Sequence, residues 1–371
     1  MAKTTNKNQT KSLTEAVSAE LRSNFDLEGF KNKKGLDSNV KFKEQRWIPF
    51  SKPLQDALSI QGIPMGHISM TRGRSDTGKT TLLIEVATAA QKMGILPIFI
   101  MTEMKWDFAH AATMGFEVTK LPDPENSTHI DYGGFFLYVD RSNLGTIEDV
   151  AGFILDLLDE QKKGNLPYDL LFLWDSVGSI PCNLSVEAKN NNPQWNAGAM
   201  ATQFGNFVNQ KFTMSRKSTS PYTNTFFIVN KTGVQPAANV MSQPKMTNKG
   251  GDTMFWDATM VITFGNITNS GTSKIRAVKD KKNVEFAKRT KIAIDKIHTG
   301  IGVATQSTVV MTPHGFIDDT DSAVKKYKAS HVDEWFPDKG GKVDIIEDNS
   351  EWEEKEKIDF IEMLDNVEPD K

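Results

Sequence analysis

Gly73-Arg74-Ser75-Asp76-Thr77-Gly78-Lys79-Thr80 is the stretch on which the reading of this 371-residue chain turns. It follows the apolar run His67 to Thr71, read as a strand, and opens Lys79 to Met93, read as a helix. The glycines let backbone N–H groups close around phosphate oxygens, Lys79 supplies positive charge, and Thr80 with Thr81 brings hydroxyls to the first helical turn. A plain glycine-rich surface turn would match the octet but not its strand-to-helix setting. The pattern is a P-loop, which predicts nucleotide phosphates on Gly73 to Thr81 and makes the Thr80 hydroxyl a candidate ligand for Mg2+.

Working outward, strands are predicted at Leu96 to Met101, Phe135 to Val139, Leu170 to Trp174 and Thr225 to Val229. Their nearly unbroken apolar runs are those of strands covered on both faces. Helices are predicted at Ile147 to Gln161 and Ala199 to Phe212, the latter with Met200, Phe204, Phe207, Val208 and Phe212 on one face. This alternation predicts an α/β fold, a mainly parallel sheet flanked by helices. Two further strands, Ala258 to Phe264 and Lys291 to Lys296, flank a basic segment, and beyond them the pattern is harder to read. Ahead of the core, Leu13, Val17, Leu21 and Phe25 recur at helical spacing before a Gly- and Lys-rich connector, Gly29 to Lys43. So short a helix needs something to cover its apolar stripe, either its own core or a neighbouring subunit.

Two acids stand where chemistry is expected. The run Leu170 to Trp174 ends in Asp175, and a carboxylate at such a strand end helps hold a magnesium ion in P-loop enzymes. Glu103 follows Leu96 to Met101, a strand expected directly beside the P-loop strand, and a carboxylate there can orient and deprotonate an attacking water. A solvated loop acid is the other reading of Glu103; order and spacing among the three motifs favour the catalytic one.

Composition excludes several classes. With 38% hydrophobic and 25% charged residues, neither wholesale disorder nor a membrane protein is indicated. No apolar run reaches the roughly 20 residues needed to span a bilayer. The polar start MAKTTNKNQTK lacks the apolar centre of a signal peptide, so the cytoplasm is the expected location, with no membrane partner. Lone Cys182, among apolar neighbours, reads as a buried structural thiol. A net charge of −3 argues alone against a polyanionic partner, but the charges are segregated. Lysines crowd the first residues and Lys274 to Lys296, while Asp344 to Asp370 is strongly acidic, so a positive surface coexists with a near-neutral total. The stretch Lys231 to Lys249 is rich in Gly, Pro, Asn and Ser and carries Lys231, Lys245 and Lys249; it reads as a DNA clamp or as an ordinary surface loop.

The order of these motifs resembles the RecA family. Trp47-Ile48-Pro49-Phe50, Pro53 to Leu58 and Gly62 to Gly66 look like that family's lead-in to its P-loop. Glu103 to Asp107 resembles its catalytic-glutamate segment, with Asp107 in the place of an acid that contacts adenine and His110 where an aromatic stacks on the base. Phe226 to Asn230 resembles the strand entering the second DNA-binding loop, and Gly250-Gly251 the pair closing it. The similarity runs from Trp47 to Ile301. Lys79, Thr80 and Asp175 then imply ATP with Mg2+, and Asn183 to Ala197 occupies the place of the first DNA-binding loop. Lys279 and Lys281 match a lysine pair that reaches the neighbouring subunit's γ phosphate. Where RecA has a glutamine after the sensor-strand asparagine, this chain has Lys231, which is charged and cannot reproduce amide hydrogen bonding.

The resemblance implies a RecA-like ATPase core at 46–310, preceded by a polymerisation helix and linker at 1–45 and followed by a short region with an acidic tail at 311–371. That compact end is most like the bacteriophage UvsX type, which would place the protein in a host cytoplasm. The activity it implies is DNA-dependent ATP hydrolysis by a filament on single-stranded DNA that pairs with homologous duplex, with single-strand-binding and loader proteins as further partners. A ring-forming helicase or translocase and an ATP-switched DNA-binding protein share the same motifs.

Overall fold

A computed structural model of the chain describes residues 43–122, 130–187, 193–210, 221–235, 245–249, 251–267, 273–279, 282–298, 302–304 and 306–335. The amphipathic segment at Leu13 to Phe25 and the acidic stretch from Asp344 lie outside them.

A small antiparallel pair, β1 (Trp47–Pro49) and β2 (Gly62–Pro64), brackets helix α1 (Lys52–Leu58). Next come β3 (Ile68–Gly73), α2 (Lys79–Lys92), β4 (Leu96–Met101) and α3 (Phe108–Thr113). A two-stranded ribbon of β5 (Thr119–Pro122) and β6 (Ile130–Gly133) precedes β7 (Leu137–Asp140), α4 (Ile147–Lys163) and β8 (Leu170–Asp175). Helices α5 (Asn183–Glu187) and α6 (Pro193–Gln210) lead to β9 (Thr225–Gln235), β10 (Lys245–Asn248), α7 (Thr253–Asp257) and β11 (Met260–Gly265). The chain continues through β12 (Lys274–Lys279), β13 (Lys282–Ile297), β14 (Ser307–Thr312), β15 (Gly315–Asp318) and α8 (Asp321–Trp335).

Neighbours in the main sheet run β15-β14-β13-β11-β3-β9-β8-β4-β7. From β11 to β7 every pairing is parallel, and β13, β14 and β15 extend the sheet antiparallel. Alternate residues of the apolar strands serve two cores, which is why the runs are continuous. Leu171, Leu173, Phe227, Val229 and Phe99 face one core with α1 and α2. Leu170, Phe172, Trp174, Phe226 and Ile228 face the other with α4 and α6, where Cys182 is also fully buried. Helix α4 shows how sequence sets an element's bounds. Thr146 caps it by accepting from Asp149 N, while the Asp149 carboxylate accepts from Thr146 N at 2.9 Å. Gly164, left-handed at φ 86°, ends it.

Three expectations are corrected. The strand before Glu103 does not adjoin the P-loop strand: β9 and β8 lie between β3 and β4, and β9 also separates β3 from the Asp175 strand. Adjacency of parallel strands is decided by how crossover helices distribute over the two faces, which local sequence does not encode. The segment Asn183 to Ala197, placed by the resemblance at the first DNA-binding loop, holds α5 and the start of α6 in its described parts; Pro193 suits a first helical turn, where no N–H is needed. The stretch from Lys231 to Lys249 begins and ends in an antiparallel ladder, Thr232↔Asn248 to Gln235↔Lys245, with residues 236–244 outside the described part. The boundary read at 310 falls within β14, and the sheet continues to Asp318.

Glu85 fastens the sheet's antiparallel end to the P-loop helix. Its carboxylate accepts from Ser51 Oγ at 2.7 Å and from Phe316 N at 2.9 Å. Burial pushes its pKa up, against the pull of those bonds. A raised folded pKa means the stability associated with the protonated form is complete below the ordinary carboxylate range and is lost as pH rises through the folded value. Glu85→Gln keeps an acceptor for Phe316 N, and its amide can donate to Ser51 Oγ. We expect this variant to melt at or above the wild type in mildly alkaline buffer and to lose that advantage in mildly acidic buffer; a difference in Tm that does not change with pH would contradict this.

Candidate active site

The P-loop leaves β3 at Gly73, where an added Cβ would lie 2.5 Å from the Phe264 carbonyl oxygen. It enters α2 through Gly78, at φ 106°, where a Cβ would meet the Phe316 ring at 3.0 Å. Both glycines are therefore demanded by close approach as well as by backbone conformation. Between them, Thr77 Oγ1 donates to the Arg74 carbonyl at 2.8 Å and Lys79 Nζ to the same oxygen at 2.5 Å. Strand β13 braces the loop from outside: Lys288 Nζ donates to Asp76 O at 2.7 Å and Thr290 Oγ1 to Thr77 O at 3.0 Å. Arg74, Ser75, Asp76 and Thr80 are exposed at the mouth, whereas Lys79 and Thr81 are buried. Burial lowers the basicity of Lys79, partly offset by Asp175 and Glu103. A desolvated ammonium gains more from an arriving anion than a hydrated one does.

Although β8 and β4 are separated from β3, both bring their acids to the loop. Thr80 Oγ1 donates to Asp175 Oδ2 at 3.1 Å. Met101 pairs with Asp175, and the N–H groups of Thr102 and Glu103 both donate to the Asp175 carbonyl, at 2.9 and 3.3 Å, which turns the chain so that Glu103 stands beside Asp175. Asp175 is pushed up to about 6 by burial and by the Glu103 charge. Two carboxylates so placed, with a hydroxyl on one of them, form a hard oxygen set. That fits Mg2+ bound through one or two protein oxygens and substrate phosphates. Among the described residues no group of three or more His, Cys, Asp or Glu side chains could hold a metal by itself.

Glu103 is the most heavily bonded of these acids. Ser176 Oγ donates to its Oε1, Ser179 Oγ donates to the same oxygen at 3.0 Å, and Lys231 Nζ lies 2.8 Å from Oε2. Burial alone would raise its pKa; the bonds from Lys231, Ser176 and Ser179 and the Lys231 charge together hold it below its ordinary value. It is therefore an anion at neutral pH, ready in charge to accept a proton.

The remaining expected residues are placed as follows. Lys231 turns into this cleft rather than onto the hairpin surface. Lys249 is exposed at the hairpin base; Lys245 lies on β10, paired with Gln235. Gly251 is left-handed at φ 92°, and Gly250 lies outside the described residues. Asp107 Oδ1 caps α3, accepting from Ala109 N and His110 N at 2.8 and 3.3 Å. The His110 ring meets the β14–β15 turn, its Nε2 3.2 Å from Pro313 O. Lys279 closes β12 opposite Lys282, and Lys281 lies outside the described residues.

Sequence reasoning missed Arg72, the last residue before Gly73. Its guanidinium donates to Thr263 Oγ1 at 2.9 Å, Asn248 Oδ1 at 3.2 Å and Asp295 Oδ2 at 2.7 Å, and lies 4.7 Å above the Phe255 ring. It ties the P-loop strand to the hairpin base and to α7. The available signal was an arginine ending an otherwise uncharged buried strand.

Fold and cluster together define a RecA-like α/β P-loop core. Comparison with known proteins agrees over the first part of it: residues 35–128 match the RecA N-terminal domain. Over 71 residues the chain is 37% identical to Protein RecA of Geobacter sulfurreducens, covering 19% of this chain and 21% of that protein. Over 85 residues it is 34% identical to Protein RecA of Azoarcus sp., covering 23% and 25%. The chain thus spans about a fifth to a quarter of the length of the curated relatives it matches. The matched family region is shorter than the Trp47 to Ile301 span read from motifs; it contains the P-loop and Glu103 to His110 and stops before Asp175 and Lys231. Among the described residues no helix is long and apolar enough to cross a membrane.

Proposed function

We propose that this chain is a DNA-dependent ATPase of the RecA recombinase type, most like the bacteriophage UvsX proteins. It assembles as a filament on single-stranded DNA, pairs that strand with homologous duplex, and works in the host cytoplasm with single-strand-binding and loader proteins. The observation that carries the reading is the convergence of Lys79, Thr80, Asp175 and Glu103 on one cleft that also holds Lys231, the first residue of the basic hairpin stretch. Backbone N–H groups of the loop and Lys79 bind and orient the phosphates, while Asp107 and His110 flank the base. Thr80 and Asp175 hold Mg2+, which when bound supplies charge neutralisation at the transferred phosphoryl group. Glu103 positions water and takes its proton.

Support for a filament comes from the β12–β13 ribbon. Lys288 touches this chain's own P-loop, and Lys282 lies six residues further along the strand, about 20 Å away at roughly 3.3 Å per residue. Lys279, opposite Lys282, is thus carried away from its own site, as a residue serving the next subunit must be. Electron microscopy with ATP and single-stranded DNA tests this reading. Helical filaments are expected, and closed rings would favour a translocase. Mixing Lys279→Ala with Lys79→Ala is expected to restore hydrolysis at interfaces that combine one intact half-site from each; no recovery at any ratio would remove the role in trans.

A further inference from the structure

The Lys231–Glu103 pair joins two groups 128 positions apart, and its geometry is specific about which oxygen is engaged. Both hydroxyl donors, Ser176 and Ser179, fall on Glu103 Oε1, and Lys231 alone of the three falls on Oε2. A carboxylate that takes a proton from water needs an oxygen free to accept it, within about 2.6–3.2 Å. With two donors already on Oε1, Oε2 is the oxygen for that task, and the Lys231 ammonium covers it.

Lys231 is also set at a junction. In the sheet register it stands opposite Gly73, the first residue of the P-loop. Its carbonyl accepts from Lys249 N at 2.9 Å, and the Asn230 amide donates to the Lys249 carbonyl at 3.0 Å. Gly178, in the turn between Ser176 and Ser179, is pressed against the same point: a Cβ there would lie 2.9 Å from Lys249 Cβ and 3.1 Å from Asn230 Oδ1. The hairpin arm at Lys249, the Lys231 backbone and the serine turn under Glu103 are therefore one packed block. Exposed Lys249 is thus bonded directly to the backbone of Lys231.

We propose that Lys231 is a positioning residue that latches Glu103: in the chain without DNA its ammonium covers the oxygen that must receive the proton, and a polyanion on the β9–β10 hairpin withdraws it. This rests on the reading of Glu103 as the base. It assigns Lys231 neither to γ phosphate nor to DNA as a direct ligand; its cation acts through the carboxylate it covers, and hydrolysis is thereby kept low until nucleic acid is bound.

The test is steady-state phosphate release by the full chain, with and without single-stranded DNA, for Lys231→Met, Lys231→Gln, Lys231→Arg and Glu103→Gln. Loss of one charge-assisted bond on the base is expected to raise the DNA-free kcat of Lys231→Met and Lys231→Gln about tenfold, with KM for ATP changed less than about twofold. DNA stimulation should shrink correspondingly. Lys231→Arg, which restores a cation, should return the DNA-free rate to a low value, a rescue that a merely structural role would not produce. A fall in kcat for the neutral variants both with and without DNA would overturn the latch and make Lys231 a phosphate ligand. An unchanged DNA-free rate would overturn it too. If Glu103→Gln itself hydrolyses like the wild type, the base assignment fails; if that variant is inactive while the neutral variants show no gain, only the latch fails. Should Lys231→Met not fold, the polar Lys231→Gln carries the same comparison.

Discussion

Lys79→Ala is expected to abolish ATP hydrolysis while leaving the fold intact. The lysine is buried at the start of α2, and its ammonium is bonded to the Arg74 carbonyl of a surface loop, not to the core. Removing it takes away one desolvated cation and no apolar packing partner, so stability should change by no more than about 1 kcal/mol. The reaction loses the positive charge placed against the transferred phosphoryl group. Groups of that kind are worth about 10²–10³ in kcat, or about 2.7–4 kcal/mol. Phosphate release and thermal melting measured side by side check both halves. Wild-type turnover in this variant would remove the P-loop from the chemistry, and a collapsed melting transition would show that the lysine serves the fold.

Glu103→Gln should behave differently. The amide is nearly isosteric, and its oxygen can keep the bonds from Ser176 and Ser179. It cannot accept a proton from water at neutral pH, and general-base contributions run to about 10²–10⁴. Nucleotide affinity should survive, because the proposed phosphate contacts are those of the loop and Lys79. The expected result is a kcat lowered by about 10² or more, a KM for ATP changed little, and DNA complexes that outlive those of the wild type. Titration with a fluorescent ATP analogue together with single-turnover hydrolysis separates these quantities. Hydrolysis at the wild-type rate would remove Glu103 from the mechanism, and lost affinity would show that the carboxylate organises the site as a whole.

Much of this was legible in the chain because burial on both faces writes itself into sequence. The runs Leu96 to Met101 and Leu170 to Trp174 are strands since alternate residues feed two separate cores. The P-loop octet was legible because phosphate-sized geometry needs glycine at Gly73 and Gly78, where backbone and aromatic ring leave no space for a side chain. Strand order was not legible. Glu103 and Asp175 stand two and one strands beyond β9, and only the pairing of whole strands decides that. β14, β15 and α8 were missed because the two strands are only six and four residues long and the helix is mostly polar, so their periodicity is weak. The hairpin at Lys231 was read as irregular, since its Gly, Asn and Lys residues disfavour strand while cross-strand pairing overrides that preference. The meeting of Lys231 with Glu103 has no local signature at all. It follows from β9 lying between the P-loop strand and the Asp175 strand.

If one cleft hydrolyses ATP and answers to DNA through the hairpin beside it, the rate of hydrolysis must follow the DNA. Phosphate release by the wild-type chain, measured over a series of single-stranded DNA concentrations at saturating ATP, tests it most directly. A low rate without DNA is expected, rising to a plateau as DNA is added, with KM for ATP little altered. A rate independent of DNA, whether high or absent, would contradict it.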